Sequence, residues 1–159
     1  MRHSKAPLVL MEQMIMLLVF ALAAALCLQA FVKSDAASHR SEARDRAVTA
    51  AQTAAETLRR YGREGDMGYA LTQAAEALGG DYQQGLLWLD YDADWNPIDY
   101  DKCGMEAPEA AYRLEAQGVP VETPGLWKAR VLVSTSTADG APDVLFEINT
   151  AWQEVDGNA

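Results

Sequence analysis

An uninterrupted apolar run near the start limits this chain more than any other feature. From Leu8 to Val32 there are 25 residues and one charge, Glu12. A helix of that length, rising about 1.5 Å per residue, extends about 37 Å and can cross a hydrocarbon core about 30 Å thick. The apolar region of a secretory signal is shorter, up to about 15 residues, and ends at a small-x-small cleavage site. Here Lys33 closes the run and a helical pattern continues past it. Leu26 also stands where a lipoprotein signal needs a small residue before Cys27. The expectation is a retained single span. Arg2 and Lys5 precede it without an acid, whereas Asp35 soon follows Lys33. The positive-inside rule then puts the N-terminus in the cytoplasm and the remainder outside, at the cell membrane.

The remainder has room for one modest domain. Its charge is uneven. Residues 1–60 hold eight Lys or Arg against five acids, and residues 61–159 hold five against eighteen. So acidic an outer part argues against nucleic acid and against docking on anionic lipid. Cys27 in the apolar run and Cys103 in the outer part are too far apart for one bridge, and each reads as an inert thiol.

No Pro or Gly interrupts Leu8 to Tyr61, so the helix is expected to run on to Tyr61. Ala43, Ala47, Ala51, Ala54, Leu58 and Tyr61 recur at spacings of four and three, a single apolar stripe. Glu42, Arg46, Gln52, Glu56 and Arg59 take the other face. Gly62 is a stop; Asp66 then reads as the N-cap of a second helix lined by Met67, Leu71, Ala74, Ala75 and Leu78, which Gly79-Gly80 ends.

From Tyr82 the period becomes two. One strand is expected through Leu87, Leu89 and Tyr91, with Leu86 and Trp88 on its other side. A turn at Trp95-Asn96-Pro97 leads to a short return strand at Ile98 to Tyr100. Further strands follow through Tyr112–Ala116, Trp127–Val133 and, after a hairpin at Asp139-Gly140, Val144–Trp152. In the last, Val144, Phe146, Ile148, Thr150 and Trp152 should share the inward face. The fold class is therefore α+β: an antiparallel sheet whose buried face is covered by the alanine stripe of the long helix. The expected divisions are 1–7, a basic leader or cytoplasmic tail; 8–32, the span; 33–61, the extracytoplasmic continuation of the helix; and 62–159, the head.

Sites of chemistry are sparse. Asp90, Asp92 and Asp94, followed by Asp99 and Asp101, offer the oxygen ligands that calcium takes. An EF-hand needs Gly at its sixth position and Glu at its twelfth, where this chain has Trp95 and Asp101. The cluster reads better as a charged strand edge that blocks unwanted pairing, and no cofactor is expected. His3 precedes the span and His39 follows it, away from the sheet, while Glu106 and Glu109 read as a solvated loop. No catalytic set is assigned, and the chain is not expected to be an enzyme. Trp88, Trp95, Trp127 and Trp152 read as core and rim.

A basic leader, an apolar run with Glu near its start, a continuous long helix and a small antiparallel sheet resemble the type IV pilin and pseudopilin superfamily. The sharpest match is Leu8-Val9-Leu10-Met11-Glu12 followed by Met14-Ile15-Met16-Leu17-Leu18. The resemblance implies a structural or accessory subunit of a type IV pilus, type II secretion pseudopilus or competence filament, with other pilin or pseudopilin subunits, membrane lipid, a prepilin peptidase and an assembly platform as partners. It makes Glu12 and Leu8 assembly residues and Pro7–Leu8 the processing junction. Pro7 departs from the small residue, usually Gly, that the family has before the cut, and an uncleaved form is the expectation. A carboxylate in the outer lipid layer seeks a cation on physical grounds too, and the amine of a neighbouring subunit is a suitable one. The alternative is a single-pass sensor or binding domain, in which the long helix would be a dimer stalk.

Overall fold

A computed structural model of the chain describes residues 6–103, 107–136 and 142–153. The first helix, α1, runs from Ala6 to Tyr61. Pro7 is compatible with it because a first-turn residue has no intrahelical bond to donate. Arg59 and Arg60 occupy the last turn, where positive charge complements the helix dipole. Gly62 then follows and packs beneath the Trp152 indole; a Cβ on it would run into the ring.

The chain divides into two compact units, Met1–Glu42 and Ala43–Ala159. In the first, every side chain described from Val9 onward is exposed. The second holds a core, and residues 43–61 of α1 belong to it. Ala47, Ala51, Ala54, Ala55 and Leu58 are buried with the inward residues of a sheet. Alanine at these positions lets backbones approach closely, and the large buried side chains come mostly from the other elements: Leu71, Leu87, Leu114, Val131 and Val133.

Helix α2, Met67–Leu78, is capped at both ends as its sequence indicates. The Asp66 carboxylate accepts from the Tyr69 N–H at 2.7 Å. At the far end Gly79 takes the left-handed conformation, and the N–H groups of Gly79 and Gly80 donate to Glu76 and Ala75. These two bonds satisfy carbonyls the helix would otherwise leave open.

Two short strands follow, β1 (Asp81–Gln83) and β2 (Leu86–Tyr91), then a one-turn helix α3 (Tyr100–Cys103) and the longer strands β3 (Tyr112–Val119), β4 (Leu126–Thr135) and β5 (Val144–Gln153). All pairs are antiparallel and sheet order equals chain order. The architecture is thus α+β, a long N-terminal helix and a five-stranded antiparallel sheet.

Three details differ from the sequence reading. The strand expected from Tyr82 is a hairpin, because Gln84 and Gly85 both take positive φ and turn the chain between Gln83 and Leu86. The return strand at Ile98–Tyr100 is reduced to one bridge between Tyr91 and Pro97. Asp99 diverts the chain there: its carbonyl accepts from Lys102 and Cys103 and its carboxylate from Lys102, which starts α3. Finally, Val144 points outward at 51% exposure. The register shifts between Val133 and Ser134, so Val133 faces Phe146 and Ser134 faces Val144, with Leu145 as the extra residue. The hairpin expected at Asp139-Gly140 lies outside the described residues, as do Arg2, His3, Lys5 and Glu106.

Candidate functional site

Two places in the chain carry groups that need an explanation: the bare apolar segment and the acidic loop after β2.

The apolar segment is long and apolar enough to cross a membrane, and none of it is buried within the chain. Its large side chains stand open, including Phe20 at 74% and Phe31 at 75%. Exposed apolar surface on this scale marks contact with lipid or with other protein. Glu12 is exposed on the same helix and, among the described residues, forms no ion pair. The expected junction between Pro7 and Leu8 lies in the first turns of α1, so both residues are already helical there. Cys27 is exposed on this segment and Cys103 on α3, and both are free thiols.

In the acidic loop each carboxylate except Asp94 and Asp101 has a local task. Asp90 is the correction to the solvated-edge reading: it is 2% exposed. It lies opposite Arg113 in the β2–β3 register, and Arg113 grips it with Nε at 2.7 Å and Nη2 at 2.8 Å. The Tyr100 hydroxyl donates to the same carboxylate at 3.0 Å. Three charge-assisted bonds compensate the desolvation of this buried charge. Burial, and then the Asp90 carboxylate, push the Tyr100 phenol above its ordinary value, and burial does the same for Tyr91.

Asp92 folds the loop around itself. Its Oδ1 accepts from the N–H groups of Asp94 and Asn96 at 2.9 Å, and the Asn96 side chain donates to its Oδ2 at 3.0 Å. Those bonds, from the Asn96 side chain first and its backbone second, hold Asp92 below the usual carboxylate range. The Lys102 side chain, and then its N–H, do the same for Asp99. Trp95 closes the loop with φ of 67°, stacked on Tyr112 at 4.2 Å between ring centroids. Arg46 of α1 ties the loop down by donating to the Asp94 carbonyl at 3.1 Å.

The weak calcium candidates Asp90, Asp92 and Asp94 are not gathered around a common point, and among the described residues no cluster of acids, His or Cys has the arrangement of a metal site. His39 pairs with Asp35 on the surface of α1, at 3.7 Å. Glu109 is exposed. Among the tryptophans, Trp152 is buried, Trp88, Trp95 and Trp127 are half-buried, and the Trp127 and Trp152 indole N–H groups have no acceptor among the described residues. The Asp90–Arg113 pair was beyond reach from sequence because it depends on the exact β2–β3 register; a basic residue on the next strand was the one available signal. No known protein family, curated protein or solved structure matches the chain.

Proposed function

We propose that this chain is a membrane-anchored structural or accessory subunit of a helical filament of the type IV pilin or pseudopilin kind, with its N-terminus in the cytoplasm and residues 62–159 outside. The observation that carries this reading is the division of labour along α1. Residues 9–32 are mostly large, apolar and uncovered, while Ala47, Ala51, Ala54 and Ala55, with Leu58, are buried in the sheet domain's own core. The first stretch is left free to exchange lipid for neighbouring helices. The second is not available to them. A dimeric stalk, the requirement of the sensor reading, would need an open apolar stripe at Ala47, Ala51 and Ala54, and that stripe is occupied.

Within a filament Glu12 gains a cation from the neighbouring subunit, which offsets its desolvation and sets the stagger between helices. The partners that follow are further pilin-like subunits, membrane lipid, an assembly platform and, if the leader is removed, a prepilin peptidase. With Pro7 before the junction, the leader stays on and Arg2 and Lys5 hold the orientation. Intact-mass measurement of the membrane-extracted chain reads this directly; a species beginning at Leu8 would show ordinary processing instead.

The filament reading is tested with Glu12→Gln in cells producing the full chain. Membrane insertion should be unchanged, and the amount of chain recovered in filaments sheared from the surface should fall. A variant recovered there at the wild-type level removes Glu12 from assembly, and a wild-type chain that never reaches the sheared fraction removes the filament reading.

A further inference from the structure

Arg59, Arg60 and Arg63 crowd the end of α1, and nowhere else in the sequence do three arginines fall within five residues. They line an open cleft together with Glu56 and Glu64. All three arginines are exposed, and none forms an ion pair among the described residues; Arg60 merely lies over the Tyr61 ring. The chain that follows them is strongly acidic, with eighteen acids against four Lys or Arg over residues 64–159.

We propose that this arginine cleft receives the acidic loop of a second copy of the chain, Asp92 and Asp94 at its tip. The loop's place along α1 is known, because Arg46 holds the Asp94 carbonyl. Arg59 lies 13 residues further along the helix, about 20 Å at about 1.5 Å per residue. Parallel copies offset by about that distance bring the loop of one to the cleft of the next. The two surfaces lie at different levels of one copy, so the contact is heterologous. It leaves an unused loop at one end and an unused cleft at the other, and therefore propagates. Lys102 neutralises Asp99, whereas Asp94 and Asp101 are exposed and add to the field that steers the approach. Each exposed pair is weak alone and gains effect by repetition.

This inference rests on the filament reading and adds which surfaces of the heads meet. The test uses the full-length chain with Arg59, Arg60 and Arg63 each changed to Lys, which keeps the charge and supplies amines. Isotope-labelled and unlabelled chains are mixed in detergent at low salt and treated with a carbodiimide, which joins an amine to a carboxylate in contact. Linked peptides of mixed isotope joining residues 59–63 to Asp92 or Asp94 are expected, falling by about tenfold when salt is raised from about 0.02 M to about 0.5 M as screening shortens. In cells, Arg59→Glu with Arg63→Glu should reduce recovery in sheared filaments, and adding Asp94→Lys, which leaves the bonds to the Asp92 carboxylate in place, should restore part of it. Links confined to one copy, with charge-reversed chains recovered normally, overturn the contact and leave the filament reading standing. A wild-type chain absent from the sheared fraction overturns both.

Discussion

Both halves of α1 are rich in apolar residues, yet they solve opposite problems. Between Val9 and Val32 most side chains are large, Leu, Met, Ile, Phe and Val, with five alanines between Ala21 and Ala30, and all are uncovered. Between Ala47 and Leu58 the covered positions are four alanines and one leucine. Size, more than polarity, separates the two regions. A helix that must meet a sheet closely removes its own bulk and receives bulk from Leu71, Leu87, Leu114, Val131 and Val133. A helix with nothing of its own chain to fit against keeps most of its bulk.

The sharpest way to break this comparison is to shorten a leucine on each side of it. Leu58 is fully buried, and Leu58→Ala should cost about 2–5 kcal/mol through lost transfer energy and a cavity. Leu17 is 67% exposed, and Leu17→Ala should leave the unfolding of the sheet domain unchanged. Thermal melts of the full chain in detergent, followed by near-ultraviolet tryptophan dichroism, make the comparison. Equal shifts would mean that the apolar segment is covered by the chain itself.

A second test concerns the contrast within the acidic loop, between buried Asp90 and its solvated neighbours. Arg113→Ala leaves the Asp90 carboxylate without its main partner. The cost of stranding a fully buried charge is about 3–5 kcal/mol, and because the Arg113 side chain is 43% exposed water can reach the site and about 2 kcal/mol is expected. Replacing both, Asp90→Leu with Arg113→Met, should recover most of the loss in urea unfolding. A double variant no better than the single one would mean that the pair contributes more than its own compensation.

How much of this was legible beforehand follows the same contrast between local and distant determinants. Asp66, Gly79 and the alanine stripe act within a turn or two of themselves, so α2 and the helical half could be read from residue type and spacing. Asp66→Ala should accordingly cost only about 1 kcal/mol, the usual value of an N-cap, measurable as a small shift in the urea midpoint. The hairpin at Gln84-Gly85 was hidden because Gln is not a residue that advertises positive φ. The outward turn of Val144 was hidden because one extra residue in β5 shifts the face without altering the alternation in sequence. Asp90 was misread because its burial depends on Arg113 and Tyr100, 23 and 10 residues away.

The smallest effect expected is on the loop alone, and pH reaches it. Asp92 and Asp99 are held below the usual value of 3.8 by their bonds to Asn96 and Lys102. A carboxyl whose folded value is depressed contributes stability above its unfolded value, and that contribution is lost as pH falls through the folded one. Tyr91 and Tyr100 work in the opposite direction, since both are raised above 10.0. Their contribution is complete below 10.0 and is lost as pH rises through the raised values. Between these limits the stretch from Tyr91 to Cys103 should be insensitive to pH. Below about pH 4 the ring of bonds around Asp92 should weaken first, since that range covers the carboxyl titration. Amide exchange, corrected for its intrinsic pH dependence, should then show lower protection at Asp94 and Asn96, the N–H groups that donate to Asp92. Protection at Val131 and Val133, in the β3–β4 ladder, should persist. Equal losses at both places would show that the loop opens only when the whole sheet domain does, and that Asp92 has no separate hold on it.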